Sequence, residues 1–225
     1  MKSLLGRFAI GGRTIGLATA EPPAADDEGY FATQFMEHPL AGEPEPTDAT
    51  LHASGWTRRA QEVGAQALDP EQGLALLVQA WSDDALMATL APDEQRKLLT
   101  HLDFCSVPPG QELLLQNERG DYALVVLEGL VAVDRLQPTG ARSRLAEARE
   151  GDVLGEMSLL DAGARIASCV TLSRCSLAVI AHSALDDLAI EEPRLGMAVM
   201  TSVARRLSLR MRQLSARLGA LLAAG

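Results

Sequence analysis

Hydrophobic periodicity divides the chain into stretches of different character. Leu74, Leu76, Leu77, Ala80 and Trp81 recur at helical spacing, as do Leu86, Met87 and Leu90 after the Ser82-Asp83-Asp84 break. Pro92 suits the first position of a further helix, with Asp93 and Glu94 in its first turn and Leu98, Leu99 and Leu102 on its apolar face. From residue 103 to about 180 the period falls to two. Short runs (Glu112 to Gln116, Ala123 to Leu127, Leu130 to Val133, Ala167 to Leu172) alternate with turn signals at Pro108-Pro109-Gly110, Glu118 to Asp121, Pro138-Thr139-Gly140 and Glu150-Gly151-Asp152. This spacing predicts roughly six to eight strands closing into a β-roll or jelly-roll-like barrel. From Ser183 the helical period returns, and Pro193 opens a helix predicted to reach about residue 222. The expected fold class is α+β, a barrel flanked by helices.

On that last helix Met200, Val203, Leu207, Met211, Leu214, Leu218 and Leu221 recur at intervals of three and four. A near-heptad seam of this kind outlasts what one small barrel can cover, and predicts a homodimer along the helix. At the other end, residues 1–53 read as a weakly structured leader. Glu21 to Glu28 and Gly42 to Asp48 are rich in Pro, Ala and acid, and bury too little apolar surface to offset their ordering entropy. Phe8-Ala9-Ile10 and Tyr30-Phe31 are candidate docking points for a protein partner. The expected organisation is a leader over 1–53, a helical extension over 54–91 and one domain over 92–225.

Charge sharpens this picture. The net charge is −10. Residues 1–100 hold 7 Lys/Arg against 15 Asp/Glu, whereas Pro193 to Gly225 carry six arginines and no acid. An acidic front half repels nucleic acid and anionic lipid, so basic character is local to the last helix. No apolar run reaches the roughly 18 residues of a membrane span. Arg7 and Arg13 interrupt the stretch before Ala18-Thr19-Ala20, which argues against a secretory signal. The three cysteines form no paired motif. A reducing cytoplasm is the simplest setting. His101, Cys105 and Cys169 lack the spacing of a haem or metal site, and His182, Ser183, Asp186 and Asp187 read as a helix start, not a catalytic triad. No metal, cofactor or enzymatic activity is expected.

The chemistry concentrates in Gly155 to Ser168. A strand, Asp152 to Leu154, runs into a glycine that permits close backbone approach. A short helix, Met157 to Leu160, starts at once, and its free amides favour an anion. Asp161-Ala162-Gly163 turns the chain, and Arg165 can reach back over the same amides with a planar fork suited to phosphate oxygens. Glu156 beside an anion makes sense if it accepts a hydrogen bond from a ligand hydroxyl, such as a ribose 2′-OH. A structural Glu156–Arg165 ion pair is the alternative for these two residues.

This stretch resembles the phosphate-binding cassette of the cyclic-nucleotide-binding family, which includes the bacterial catabolite activator and the regulatory subunits of protein kinase A. The resemblance runs from about Pro92 to Leu214 and takes in the Pro-Pro-Gly turn and the Val125-Val126-Leu127-Glu128-Gly129 strand end. It implies that Glu156 binds the ribose 2′-OH, that Gly155, Met157 and Ser158 lie against ribose or phosphate, and that Arg165 binds the phosphate. It places Val133, Leu145 and Ile166 around the base pocket, and Arg210 and Met211 where the catabolite activator contacts adenine. An arginine there could stack on or cap the base. Ala164 replaces the family's proline. Ile166 follows the arginine where cGMP-selective members favour threonine, which counts against cGMP, while base selection rests on Arg210 and Met211 with a lean to cAMP. The implied function is that of a cyclic-mononucleotide sensor acting by movement of its C-terminal helix on a protein partner reached through the N-terminal extension. A ligand-silent scaffold is the alternative. No DNA binding is expected, because the chain stops where the catabolite-activator type continues into its DNA-binding module.

Overall fold

The computed structural model describes residues 55–223. The predicted leader and its two apolar patches lie outside the described residues. The elements run α1 (Gly55–Glu62), β1 (Gln66–Ala67), α2 (Pro70–Ala80), a 3-10 turn (Met87–Thr89), α3 (Pro92–Arg96) and a second 3-10 turn (Lys97–Thr100). Strands β2 (Leu102–Val107), β3 (Glu112–Leu114), β4 (Tyr122–Glu128), β5 (Val131–Leu136), β6 (Arg142–Ala148) and β7 (Val153–Leu154) follow. Then come α4 (Glu156–Asp161), β8 (Ser168–Thr171), β9 (Cys175–Ala181), α5 (His182–Glu191) and α6 (Pro193–Ala223).

The strands form two antiparallel sheets, β1-β2-β9-β4-β7 and β3-β8-β5-β6. Two apolar clusters explain the arrangement. Tyr122, Leu124 and Val126 point between the sheets with Leu113, Leu154, Cys169 and Leu177. Ala123, Val125 and Leu127 point the other way, onto a helical layer built from Leu77, Trp81, Leu98, Leu188 and Val199. Strand β4 is thus covered on both faces, which is why its apolar run is continuous instead of alternating. Full burial of each such side chain contributes about 1.5–3 kcal/mol.

The structure departs from sequence expectation at four places. The helical extension contains a strand: β1 pairs with Ser106 and Cys105 through backbone alone, and its two exposed side chains carry no periodic signal. Met87–Thr89 is one 3-10 turn in place of a helix. The run Glu112 to Gln116 stops at Leu114, where the register shifts against β8 and Asn117 adopts a positive φ of 70°. The apolar seam of α6 has two fates. Val203 is buried and Met200 and Leu207 pack on the helical core, whereas Met211, Leu214, Leu218 and Leu221 are exposed.

Arginines fix the packed half of α6. Buried Asp84 accepts hydrogen bonds from both Arg205 and Arg206. Arg206 also lies 4.7 Å above the Trp81 ring and donates to the Gly151 carbonyl, which Trp81 Nε1 reaches at 3.1 Å. The helix is thereby tied both to the α2 region and to the turn that leads into β7.

Candidate functional site

Strand β7 is held by β4, with Leu154 opposite Leu124. It ends at Gly155, whose φ of 79° is left-handed. A side chain there would be strained and would also place its Cβ 2.3 Å from Arg165 Nη1, so glycine is required twice over. Helix α4 starts at Glu156, one residue earlier than expected, and ends at Ala162 with a φ of 53°. Asp161 Oδ1 accepts from the Gly163 amide at 2.8 Å and closes the turn. The chain then runs beside residues 117–119: Arg165 N donates to Glu118 O at 2.8 Å, and Asn117 N donates to Arg165 O at 2.9 Å.

These bonds place the Arg165 side chain under the cassette. It is 4% exposed. Nη1 donates to Gly155 O at 2.7 Å and Nη2 to Tyr122 O at 2.5 Å, and the guanidinium lies 5.0 Å from the Tyr122 ring centroid. Burial pulls its pKa below the ordinary arginine value, against the pull of nearby Tyr122. The guanidinium therefore engages two carbonyls, whereas sequence reasoning had it over the amides of α4.

Glu156, also 4% exposed, is paired with Arg210 of α6 and not with Arg165. Arg210 Nη1 donates to Glu156 Oε1 at 2.7 Å, and Nη2 donates to Val153 O at 2.9 Å. The Glu156–Arg165 ion pair considered from the sequence is thus replaced by one that spans 54 residues. The reason is that Arg165 is drawn towards Tyr122, while α6 passes over the cassette. Burial raises the Glu156 pKa above the usual glutamate range; Arg210, its own backbone amide and Arg165 pull it partly back.

The cassette, β5–β6 and α6 enclose a cavity of about 360 Å³. Its lining includes Gly155, Glu156, Met157 and Ser158 from the cassette. Arg165 and Ile166 come from the following turn, Val133 and Leu145 from the second sheet, and Arg210 and Met211 from α6. Residues far apart in sequence thus meet at one place. The volume falls within the range of small-ligand sites. Arg210 meets the acidic end of the cassette through its pair with Glu156. Sequence reasoning missed Leu207, Gln213 and Arg217 as lining residues, and took Leu214 only for the seam. The signal was present: these lie three before and three, four and seven after Arg210, on one helical face. Cys169 also lines the cavity, but burial pushes its thiol up to about 12, which leaves it unreactive. Among the described residues, no cluster of three His, Cys, Asp or Glu could hold a metal ion, and no helix is long and apolar enough to cross a membrane.

The family model for the cyclic nucleotide-binding domain matches residues 104–192, which contain β3 to β9 and the whole cassette. Residues 104–192 thus match the cyclic nucleotide-binding domain family. Among its relatives is a CRP-like cAMP-activated global transcriptional regulator from Mycobacterium tuberculosis, 28% identical over 111 residues, 49% of this chain and 48% of that protein. The cyclic AMP receptor protein of Thermus thermophilus is 34% identical over 88 residues, 39% of this chain and 41% of that protein. The chain therefore spans about half the length of these curated relatives or less. In structure, the roll is similar to a cyclic nucleotide-binding domain from Methylobacillus flagellatus, with a TM-score of 0.63 and 27% identity over 68% of this chain and 86% of that one. The family match itself takes in β3 to β9, the cassette and α5.

Proposed function

We propose that this chain senses a cyclic mononucleotide, with cAMP preferred, and reports it to a protein partner by moving α6. The observation that carries the reading is the Arg210–Glu156 pair. It joins the residue assigned to the ribose 2′-OH to the helix that would move, inside the cavity itself. The cavity is amphipathic, lined by apolar Val133, Leu145 and Leu154 and by charged Glu156 and Arg165, as a base and a sugar phosphate require. The two curated relatives named above are described by their response to cAMP. Ile166, half exposed at the cavity edge, offers no hydroxyl to a guanine. A ligand hydroxyl at Glu156 competes with Arg210, so it biases the position of α6 by differential interaction with its two placements. The exposed seam from Met211 to Leu221 supports pairing with a second copy of α6, which would set two cavities side by side. The reading is of a regulatory module, binding its ligand rather than transforming it.

A second reading is a ligand-silent scaffold that acts through its N-terminal extension. It draws support from Arg165 and Glu156, each of which already has protein partners. Isothermal titration with cAMP, cGMP and cCMP separates the two. Saturable heat with cAMP that disappears in Arg165→Ala supports the sensor. Absence of heat with all three at tens of micromolar protein rejects it in favour of the scaffold.

A further inference from the structure

The five residues from Glu118 to Tyr122 have Arg165 on one side and helix α1 on the other. Towards the cassette, Glu118 O accepts from Arg165 N and Tyr122 O accepts from Arg165 Nη2. The guanidinium stacks on the Tyr122 ring. Gly120 is so close beneath it that an added Cβ would lie 2.1 Å from Arg165 Cζ. Towards α1, the carboxylates of the same segment are occupied. Asp121 accepts from the Gly55 amide at 2.9 and 3.1 Å, and Glu118 accepts from Arg59 Nη2 at 2.7 and 2.8 Å. Trp56 meets the Tyr122 ring edge-on, with ring centroids 5.5 Å apart. Among the described residues, both polar anchors of α1 on the roll fall in this one segment, and so does the aromatic contact.

A phosphate in the cavity competes with the Gly155 and Tyr122 carbonyls for the same cation. A guanidinium–phosphate contact joins two ionised groups of opposite charge and can be bidentate, whereas each carbonyl accepts one bond from the cation and carries no net charge. Movement of Arg165 towards the cavity removes a bond from Tyr122 O and the packing over Gly120, which is the floor on which α1 rests. We propose that α1 is a second reporter of ligand occupancy: binding of a cyclic phosphodiester draws Arg165 from its seat, and residues 118–122 pass the change to α1 through Gly55, Trp56 and Arg59. This rests on the assignment of Arg165 to the phosphate made above. It adds an output distinct from α6, directed at the N-terminal extension.

Coupling of this kind is reciprocal: what loosens α1 must favour the ligand by the same factor. The test uses the full chain, with cAMP saturation established by titration in the same buffer. Amide hydrogen exchange over residues 55–63 is expected to speed up on saturation. Arg59→Gln, which frees one anchor without touching the cavity, is expected to tighten cAMP by about 5-fold, the low end of measured couplings. Gly120→Ala, which unseats the guanidinium sterically, is expected to speed exchange over 55–63 in the absence of cAMP. The proposal is overturned if cAMP binds while exchange over 55–63 and the affinity of Arg59→Gln both stay unchanged. A lack of cAMP binding instead removes the functional reading and this inference with it. Unchanged α1 exchange in a folded Gly120→Ala protein breaks the link between Arg165 and α1 alone.

Discussion

Arg210 and Glu156 form an ion pair of unequal burial: the carboxylate is almost wholly enclosed, while about a third of the arginine side chain meets solvent. The two halves of the pair therefore respond differently to removal. Arg210→Ala leaves a buried carboxylate with fewer partners, a loss of about 1–3 kcal/mol. Glu156→Gln removes the buried charge and leaves an arginine that water can reach, so it should cost less. Thermal unfolding of the two variants tests this order, and a larger fall in Tm for Glu156→Gln would contradict it.

The same pair predicts a change in ligand discrimination. If Glu156 accepts the ribose hydroxyl, cAMP should bind wild type more tightly than 2′-deoxy-cAMP, by about tenfold for an interaction of 1.4 kcal/mol. Glu156→Ala should bring the two ligands to similar affinity. Competition titrations measure the ratio directly, and an unchanged ratio removes Glu156 from the ribose.

The Asp84 clamp carries a pH signature. Burial pushes its carboxyl up, but the hydrogen bonds from Arg206 and Arg205 outweigh this and hold it below the usual aspartate range. A carboxyl whose pKa is lower folded than unfolded contributes stability above its unfolded value and loses it as pH falls through the folded one. Tm should therefore drop on acidification below the ordinary aspartate range, and Asp84→Asn should flatten that part of the curve. Glu156 acts in the opposite sense. Its raised pKa gives a contribution that is present below the ordinary glutamate range and fades as pH rises through the folded-state value. Glu156→Gln should remove that second slope.

The exposed seam makes the oligomeric state testable. Leu214 and Leu218 are more than half exposed on a helix that outruns its own roll. In sedimentation at micromolar concentrations, wild type should form a dimer and Leu218→Asp/Leu221→Asp, both outside the cavity lining, a monomer that still binds cAMP. A monomeric wild type would set aside pairing through α6.

Ile166 lies half exposed on the cavity wall, so a substitution there is tolerated sterically. Ile166→Thr places a hydroxyl on this wall, which can hydrogen-bond a guanine where isoleucine cannot. The ratio of cGMP to cAMP affinity should rise by about tenfold, the value of one good hydrogen bond. Titration with both nucleotides decides it.

Much of this molecule was legible in the order of its residues. The switch from helical period to period two and back, the turn signals between strands, and the Gly155 to Ser168 cassette rest on local chemistry: alternation, capping, and the conformational freedom of one glycine. These signals are local, so they survive in a one-dimensional string. The partners of the charged groups were not legible. Glu156 stands nine residues before Arg165 yet pairs with Arg210, because α6 crosses the cassette and Arg165 turns to Tyr122. Strand β1 was hidden because its bonds are backbone to backbone and its side chains face solvent. Helix α1 leans on residues 118–122 through contacts that span about sixty positions. Sequence alone determined most of the elements and where the Gly155 to Ser168 cassette lies. Only the tertiary structure decided which cation meets which carboxylate, since ion pairing depends on distance in space and on burial.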